Sequence, residues 1–325
     1  MSAQVDHSIS AEKFKPFPAD EEFEIKVPAS IANLGPGFET LAVAVQLYVS
    51  LRVKRIPGNG RLEFRPADAR SVRESLIERA YRYIAGARGC QLPSLSVEVS
   101  SEIPVHAGLG GRAAATVAGL RLYEAVAGAL PIQDLLQAAC ALGCHPDSAA
   151  AALLGGLTLS CRLPDGSVHA TKFPWPEALG LVVLTPSLPR GSDHSPAELP
   201  RSVSRADLVF NLQRVALLLQ SLRSGDFSLL KHAMDDRVRQ PFRQGLGPEL
   251  NQALQIQHPD LLGICVSGSG PSLVALAERN LWEIGDLLVG VYQRAGLGCQ
   301  LRILDVHQDV SSYSKLFRSG LLCCS

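Results

Sequence analysis

The chain has 325 residues, of which 46% are hydrophobic and 19% charged, and its 31 basic and 31 acidic side chains give a formal net charge of zero. This length accommodates two domains or one large one, and the balanced charge argues against nucleic acid as a partner. No apolar run approaches the roughly 20 residues of a membrane-spanning helix, and residues 1–7 lack the features of a secretory signal. We therefore expect a cytoplasmic protein that binds neither nucleic acid nor membrane.

The predicted elements mix strands and helices along the whole chain. Residues 1–23 are polar and contain two prolines, which predicts a flexible leader. Turns are predicted at 57–60 and 164–167, and a mobile loop at 186–204. From the spacing of apolar residues, the predicted strands are 23–27, 41–53, 95–99, 156–163, 180–185, 261–266, 273–276 and 299–306, and the predicted helices are 74–87, 113–126, 131–142, 208–222, 226–238 and 281–295. No regular strand–helix–strand repeat is present, so we predict the α+β class.

A glycine-rich stretch at residues 102–120 is the strongest single signal. A strand with alternating apolar residues precedes it, and Gly108, Gly110 and Gly111 lead into a run of alanines with helical character. A glycine loop at a helix start brings backbone N–H groups and the positive end of the helix dipole to a polyanion. The alternative is a tight turn packed against a neighbouring element. The spacing is not that of a Walker loop, because no Gly-Lys-Ser/Thr follows.

The eight cysteines are scattered along the chain and are expected to be thiols that are either buried or without a chemical role. Cys140, Cys144 and His145 have a spacing that suggests a metal site on a helix. A structural zinc site needs four ligands, and no fourth ligand stands at a matching spacing. We therefore predict no zinc site.

Two further glycine-containing stretches, at residues 27–41 and 263–273, flank the one at 102–120 in the sequence. They read VPASIANLGPGFETL and GICVSGSGPSL. In this order the three stretches resemble the three signature motifs of the GHMP small-molecule kinases, and the first and third are most similar to those of the homoserine kinases. Further segments that resemble this family are 145–157, 207–212 and 240–243. The resemblance covers about residues 24–310.

The resemblance implies a two-domain α+β fold with the active site between the domains. The N-terminal domain, residues 24–165, would be ribosomal-S5-like and bind ATP, and the C-terminal domain, residues 166–325, would be a ferredoxin-like α/β domain. The resemblance also implies a kinase that transfers the γ-phosphoryl group of ATP to the hydroxyl of homoserine, giving O-phosphohomoserine in threonine biosynthesis. Its partner would be a small-molecule substrate, and the resemblance is also compatible with a homodimer.

The family's motifs, carried over to this sequence, provide a set of candidate site residues. The ATP-binding candidates are Pro104, Val105, His106, Ala107, Gly108, Leu109, Gly110, Gly111, Arg112, Ala113 and Ala114. The third glycine motif contributes Gly268, Ser269 and Gly270. The substrate-binding candidates are Asn33, Glu39, His145, Asp147, Ser148 and Arg243.

Most of the substrate candidates also have a plainer interpretation. Asn33 can satisfy the backbone of a tight turn, Glu39 and Arg243 can be surface charges, and Asp147 or Ser148 can cap a helix. As a ligand group, Arg243 suits a bidentate bond to an amino-acid carboxylate.

The chain departs from the family's motifs at the metal positions. The family has two serines where this chain has Gly111 and Arg112, and an acid where it has Gly143. Both protein ligands expected for Mg²⁺ are therefore missing, so the metal would be held mainly by the phosphates of ATP. Arg112 would either neutralise the γ-phosphate, as an arginine finger does, or fill the pocket.

The remaining departures concern the acceptor. Glu39 replaces the family's Asp, and Ser148 replaces an Asn. The second of two carboxylate-binding arginines falls in register on Pro196, with Arg190 and Arg201 nearest to it. These departures suit a kinase with altered metal handling, a catalytically degenerate member that binds a ligand as a regulator, or a GHMP kinase for another small alcohol.

Overall fold

The computed structural model describes residues 22–66, 72–187, 199, 201–242 and 247–315. Its strands are β1 (Glu22–Ala32), β2 (Leu41–Asn59), β3 (Leu62–Pro66), β4 (Pro93–Ser101), β5 (Leu157–Arg162), β6 (Val168–Phe173), β7 (Gly180–Pro186), β8 (Gly263–Val266), β9 (Leu273–Ala277), β10 (Cys299–Leu304) and β11 (Ser312–Lys315). Its helices are α1 (Val72–Arg88), α2 (Gly111–Ala127), α3 (Ile132–Ala141), α4 (Pro146–Leu154), α5 (Arg205–Ser224), α6 (Leu230–Ala233), α7 (Pro248–Leu254) and α8 (Leu281–Arg294). The predicted leader and most of the predicted loop at 186–204 lie outside the described residues.

The first sheet has seven strands, and its main path runs β11-β1-β2-β4-β3. β5 pairs with the first residues of β2 and with β6. All pairs are antiparallel except β3–β4. β1 alternates between buried and more exposed residues at its start and is buried throughout from Val27, because α2 and α4 pack against it.

The second sheet has four antiparallel strands in the order β10-β7-β9-β8. α8 covers β7 and β10, and α7 packs beside α8. Every residue of β9 is buried, which a continuous run of apolar residues predicts for a central strand. The turn between β8 and β9 carries the third glycine stretch and points it toward the first sheet.

Helix α2 is the central helix of the first domain. All its residues from Ala113 to Val126 are buried, since it lies between the sheet and α1. A Cβ atom on Gly119 would overlap the carbonyl oxygen of Ile77 in α1. The small residues that predicted a helix after the glycine loop therefore also allow the two helices to pack in close contact.

A buried ion pair joins α2 to the surrounding chain. Arg121 donates from Nη1 to a carboxylate oxygen of Glu124 at 2.6 Å, and the exposed fractions of the two side chains are 2% and 1%. The same guanidinium donates to Ser311 Oγ and to the carbonyl of Leu153. The second oxygen of Glu124 accepts the N–H of Leu130 at 2.9 Å. Each charge is thus hydrogen-bonded on several sides, as buried charges require.

Most of the predicted strands and helices are confirmed, and so is the α+β class. The second helix predicted after α5 is wrong, because only α6 is helical in that segment. The carboxylate of Asp236 accepts the N–H groups of Val238, Arg239 and Gln240. A side chain that binds its own downstream backbone in this way competes with helix formation.

Other differences are local. β2 continues through the predicted turn as far as Asn59, and β3, β6, α7 and β11 were not among the predicted elements. The domain boundary at residue 165 stays a prediction. β6 pairs with β5, and β11 pairs with β1, so the sheet pairing favours a boundary after β6 and a return of the chain to the first domain.

In the part of the chain that the structure describes, no helix has both the length and the apolar character needed to cross a membrane.

Candidate active site

The three glycine stretches meet where the two sheets approach each other. The first stretch leaves β1 and contacts both of the others through its backbone. The N–H of Ser30 donates to the carbonyl of Leu109 at 3.2 Å, and the N–H of Gly268 donates to the carbonyl of Ala32 at 3.1 Å. These bonds place the ends of the motifs next to one another, as the family resemblance implies.

The second and third stretches are packed directly against each other. Ser267 Oγ donates to the carbonyl of Gly108 at 2.9 Å, and the N–H of Ser272 donates to the carbonyl of Ala107 at 3.2 Å. Gly108 has φ +74, and a Cβ atom there would lie 2.7 Å from the backbone nitrogen and oxygen of Gly270. A glycine is therefore required at 108 for packing, whatever ligand the loop binds.

No side chain caps the start of α2. Its N-cap residue is Gly110, in the left-handed conformation with φ 69 and ψ 17. A Cβ atom on Gly110 would overlap Ser30 Oγ, whereas one on Gly111 would meet only Ile103 Cγ2, at 3.6 Å. The first-turn N–H groups of α2 lack helical partners, so this end of the helix suits an anion.

The other ATP-binding candidates fall into two groups. Ala107, Leu109, Ala113 and Ala114 are buried, with at most 3% of each exposed, so only their backbone can face a ligand. Pro104, Val105 and His106 form the outer part of the loop, where Val105 is 51% exposed. His106 has φ 56, a left-handed conformation that costs a residue other than glycine about 1 kcal/mol.

Three of the predicted acceptor residues lie together beside this junction. His145 Nδ1 is 3.5 Å from Glu39 Oε1, and 71% and 52% of these side chains are exposed. Both also act electrostatically on the buried carboxyl of Asp147. Since both side chains are exposed and such a contact contributes little to stability, Glu39 and His145 can contact a ligand.

Asn33 shapes the turn that presents Glu39. Its side-chain oxygen accepts the N–H of Glu39 at 3.1 Å, and both residues have positive φ, 75 and 54. Asn33 is 95% buried, with a relative exposure of 5%. The plainer interpretation of Asn33, a turn-forming amide, therefore accounts for its oxygen.

Helix α4 begins at Pro146, with His145 as its N-cap. Neither Asp147 nor Ser148 occupies the N-cap position that the plainer interpretation assigned to them. Asp147 Oδ1 instead accepts the N–H of the adjacent Ser148 at 2.6 Å. Burial raises the pKa of Asp147 above the usual range of an aspartate, although this hydrogen bond opposes the increase.

We expect Asp147→Asn to change how stability depends on pH. A carboxyl whose pKa is higher in the folded protein binds protons more tightly there, so stability is largest below the unfolded pKa of about 3.9 and falls as the pH rises through the folded pKa. The Asn variant keeps the acceptor for Ser148 and cannot ionise. Its melting temperature relative to wild type should therefore be higher at pH 7 than at pH 3, and an unchanged difference would contradict this assignment.

A pocket of about 340 Å³ opens next to Glu39. It is lined by Glu39, Thr40, Pro146, Leu159, Ser160, Cys161 and Arg162. Arg162 was not among the predicted site residues, because one arginine at a strand end carries no motif. A larger pocket of about 580 Å³ lies along α8 and contains none of the predicted site residues. The smaller pocket thus brings an acid and a guanidinium together next to the acceptor candidates.

Arg112 connects the two halves of the site. It is the second residue of α2 and is exposed, and its Nη2 lies 3.9 Å from where a Cβ atom of Gly143 would stand. Its charge also lowers the pKa of the Cys144 thiol, which burial raises. The two departures from the family's metal positions are therefore neighbours in space.

The residues at these positions do not fit a protein-held Mg²⁺. Gly111, Arg112 and Gly143 offer no side-chain oxygen, and oxygen is the donor that Mg²⁺ requires. In the described ranges of the chain, no group of three or more His, Cys, Asp or Glu side chains is placed to hold a metal ion. Burial raises the pKa of Cys140 to about 11, which keeps this thiol protonated and a poor metal ligand.

Arg243, Arg190 and Pro196 lie outside the described residues, and Arg201 is exposed at the start of the segment that leads into α5. The chain just before position 243 is anchored to the third glycine stretch. Gln240 Oε1 accepts the N–H of Val266, the residue before Ser267, at 3.2 Å.

Comparison with known proteins agrees with the motifs. Residues 75–156 match the model of the GHMP kinases N terminal domain. A homoserine kinase of Solibacter usitatus is 34% identical over 284 residues, covering 84% of this chain and 91% of that protein. A homoserine kinase of Desulfitobacterium hafniense is 33% identical over 293 residues, covering 88% and 97%.

Solved structures show the same fold. The crystal structure of homoserine kinase from Cytophaga hutchinsonii matches with a TM-score of 0.79 at 22% identity, over 93% of this chain and 99% of that chain. A galactokinase of Lactococcus lactis matches with a TM-score of 0.68 at 13% identity, over 92% and 96%. The two-domain α+β architecture implied by the motifs is thereby confirmed. From the extent of these similarities, the chain belongs to the homoserine kinase family of the GHMP kinases.

Proposed function

We propose that this protein transfers the γ-phosphoryl group of ATP to the hydroxyl of homoserine, giving O-phosphohomoserine and ADP, in cytoplasmic threonine biosynthesis. One observation carries the proposal. The uncapped start of α2, which suits phosphate, and the Glu39–His145 pair, which suits an amino acid, are adjacent. A single side chain, Arg112, reaches from α2 to Gly143, two residues before His145.

In this proposal the helix start and the glycine loop bind the triphosphate. The first-turn N–H groups of α2 and the helix dipole stabilise the negative charge, and Pro104–His106 lie where the family resemblance places the rest of the nucleotide. Mg²⁺ would arrive on the phosphates of ATP and not on the protein, because the protein offers no oxygen ligand at Gly111 or Gly143.

The acceptor would bind through both of its charges. Glu39 would receive the ammonium group of homoserine, and Arg162 in the pocket and Arg243 from the resemblance would receive its carboxylate. Since amino acids carry both charges at neutral pH, a pocket with an acid and a guanidinium selects them over neutral alcohols. The family resemblance offers no separate base, so the hydroxyl proton would pass to the phosphoryl group as it is transferred.

The test is ADP release, coupled to a spectrophotometric assay, with L-homoserine and with neutral small alcohols as acceptors, and the product identified by ³¹P NMR. The proposal requires release with homoserine and a phosphate-ester resonance that grows at the same rate. Release only with a neutral alcohol would identify a different kinase. Calorimetric binding of ATP and homoserine without any release would identify a degenerate, ligand-binding relative, which the missing metal ligands favour as the second candidate.

We expect Glu39→Gln to raise the KM for homoserine by about tenfold to a hundredfold, which corresponds to the about 1.5–3 kcal/mol of a hydrogen bond to a charged group. The KM for ATP should be unchanged, because Glu39 lies on the acceptor side. Arg162→Ala should show the same pattern if the pocket holds the carboxylate.

Glu63→Gln is the matched control, since Glu63 pairs with Arg61 at the edge of the first sheet. It should leave both KM values unchanged. Equal losses for ATP and homoserine in Glu39→Gln would indicate general damage, and no loss would remove the pocket from the acceptor site.

A further inference from the structure

The position of Arg112 deepens the proposed function, on which this inference rests. We infer that its guanidinium takes the role of a protein-held metal ion beside the transferred phosphoryl group, so that the chain binds ATP about equally well with and without a divalent cation. A divalent metal ion then contributes to ATP binding only through its contacts with the phosphates of ATP.

No competing partner holds the charge of Arg112 in the described part of the chain. Arg112 has no ion pair and no hydrogen bond to an acidic side chain there, and it is exposed. Since α2 also has no acid in its first turn, the helix itself supplies no carboxylate to its positive end. An anionic ligand would meet two positive sources at once.

Gly143 leaves room next to the guanidinium. It has φ +89, and the nearest atom that its Cβ would meet is Nη2 of Arg112, at 3.9 Å. An acidic side chain at this position would have neutralised the guanidinium, and the glycine does not. Position 111 also carries no side chain, and a Cβ there would meet only Ile103, at 3.6 Å.

The chemistry of a guanidinium suits this role. A guanidinium stays charged throughout the neutral range and donates two parallel hydrogen bonds to phosphoryl oxygens. In the transfer, a bond forms between the acceptor oxygen and the γ-phosphorus while the bond to the bridging oxygen breaks, and that electron pair leaves on ADP. The hydroxyl proton goes to an oxygen of the transferred group. Arg112 neither gains nor loses a proton and needs only to stabilise the charge that spreads over the phosphoryl oxygens.

The experiment is a calorimetric titration with ATP and with ADP, each in EDTA and in excess Mg²⁺. Wild-type protein should bind ATP with dissociation constants that differ by less than about threefold between the two conditions. Arg112→Ser should weaken binding of metal-free ATP by about tenfold or more and weaken ADP less, because the guanidinium faces the γ-phosphate. Arg112→Lys should recover part of the loss.

Arg61→Ser is the matched control. It removes an exposed guanidinium that pairs with Glu63 at the edge of the first sheet and keeps Arg112, so metal-free binding should persist. The inference would be overturned if wild-type protein bound ATP only with Mg²⁺. It would also be overturned if Arg112→Ser protein bound ATP more tightly because a blocked pocket had opened. Both outcomes are measured without an acceptor, so they are distinct from a failure to phosphorylate homoserine.

Discussion

Glu124→Ala should lower the free energy of unfolding by about 3–5 kcal/mol, the loss expected when one partner of a buried ion pair is removed. Arg121 would then lose its 2.6 Å ion pair with Glu124 inside the protein. The N–H of Leu130 would also lose its acceptor. Urea unfolding followed by circular dichroism measures the change, provided that the denaturant dependence of the free energy stays the same.

The chain contains a matched control for this substitution. Glu78 and Arg82 are four residues apart on α1 and form a 2.7 Å ion pair, but 38% and 49% of their side chains are exposed. Glu78→Ala should cost no more than about 0.5 kcal/mol. If the two variants lost equal stability, burial of the Arg121–Glu124 pair would not be the cause.

Gly108→Ala should destabilise the protein by about 2–4 kcal/mol, from overpacking together with the left-handed backbone. The atoms that the new methyl group would meet belong to the backbone of Ser267 and Gly270. Backbone cannot turn aside as a flexible side chain can, so the second and third glycine stretches would have to separate. The urea midpoint should fall, and ATP should bind more weakly.

Gly111→Ala separates this packing effect from ligand binding. Its methyl group would lie 3.6 Å from the nearest atom, Ile103 Cγ2, so stability should stay within about 1 kcal/mol of wild type. A loss of ATP affinity in this stable variant would show that phosphate lies against position 111. If Gly111→Ala were as destabilising as Gly108→Ala, the loop would not have the geometry described above.

The sequence predicted the regular elements well where local pattern decides them. The alternation in β2 led to a correct assignment because burial of one face leaves a period in the sequence. The alanine run led to α2 because alanine favours the helix and an apolar sequence without a polar face is typical of a fully buried helix. The helix predicted at 226–238 failed because the Asp236 side chain binds the backbone downstream and the Asn211 amide on another helix. A contact between residues that are far apart in the sequence produces no local periodicity in the pattern of apolar residues.

The site was predicted less completely than the fold. The motifs identified the stretches that meet, and the Glu39–His145 pair was among the candidates. Gly108, Gly110 and Gly111 look alike in the sequence, yet only Gly111 has room for a Cβ atom, while Gly108 is packed against protein atoms. The closeness of Arg112 to Gly143 depends on how α2, α3 and α4 pack, and this packing cannot be inferred from a single sequence.

The pairing of β11 with β1 has a consequence for how the protein is made. β1 is the first and β11 the last of the described elements in chain order. Until β11 has been translated, the edge of β1 that it later covers exposes unpaired backbone groups, which can pair with another chain. The nascent first domain therefore stays open to misassembly while the second is translated, and its sheet is completed only after the second domain has left the ribosome.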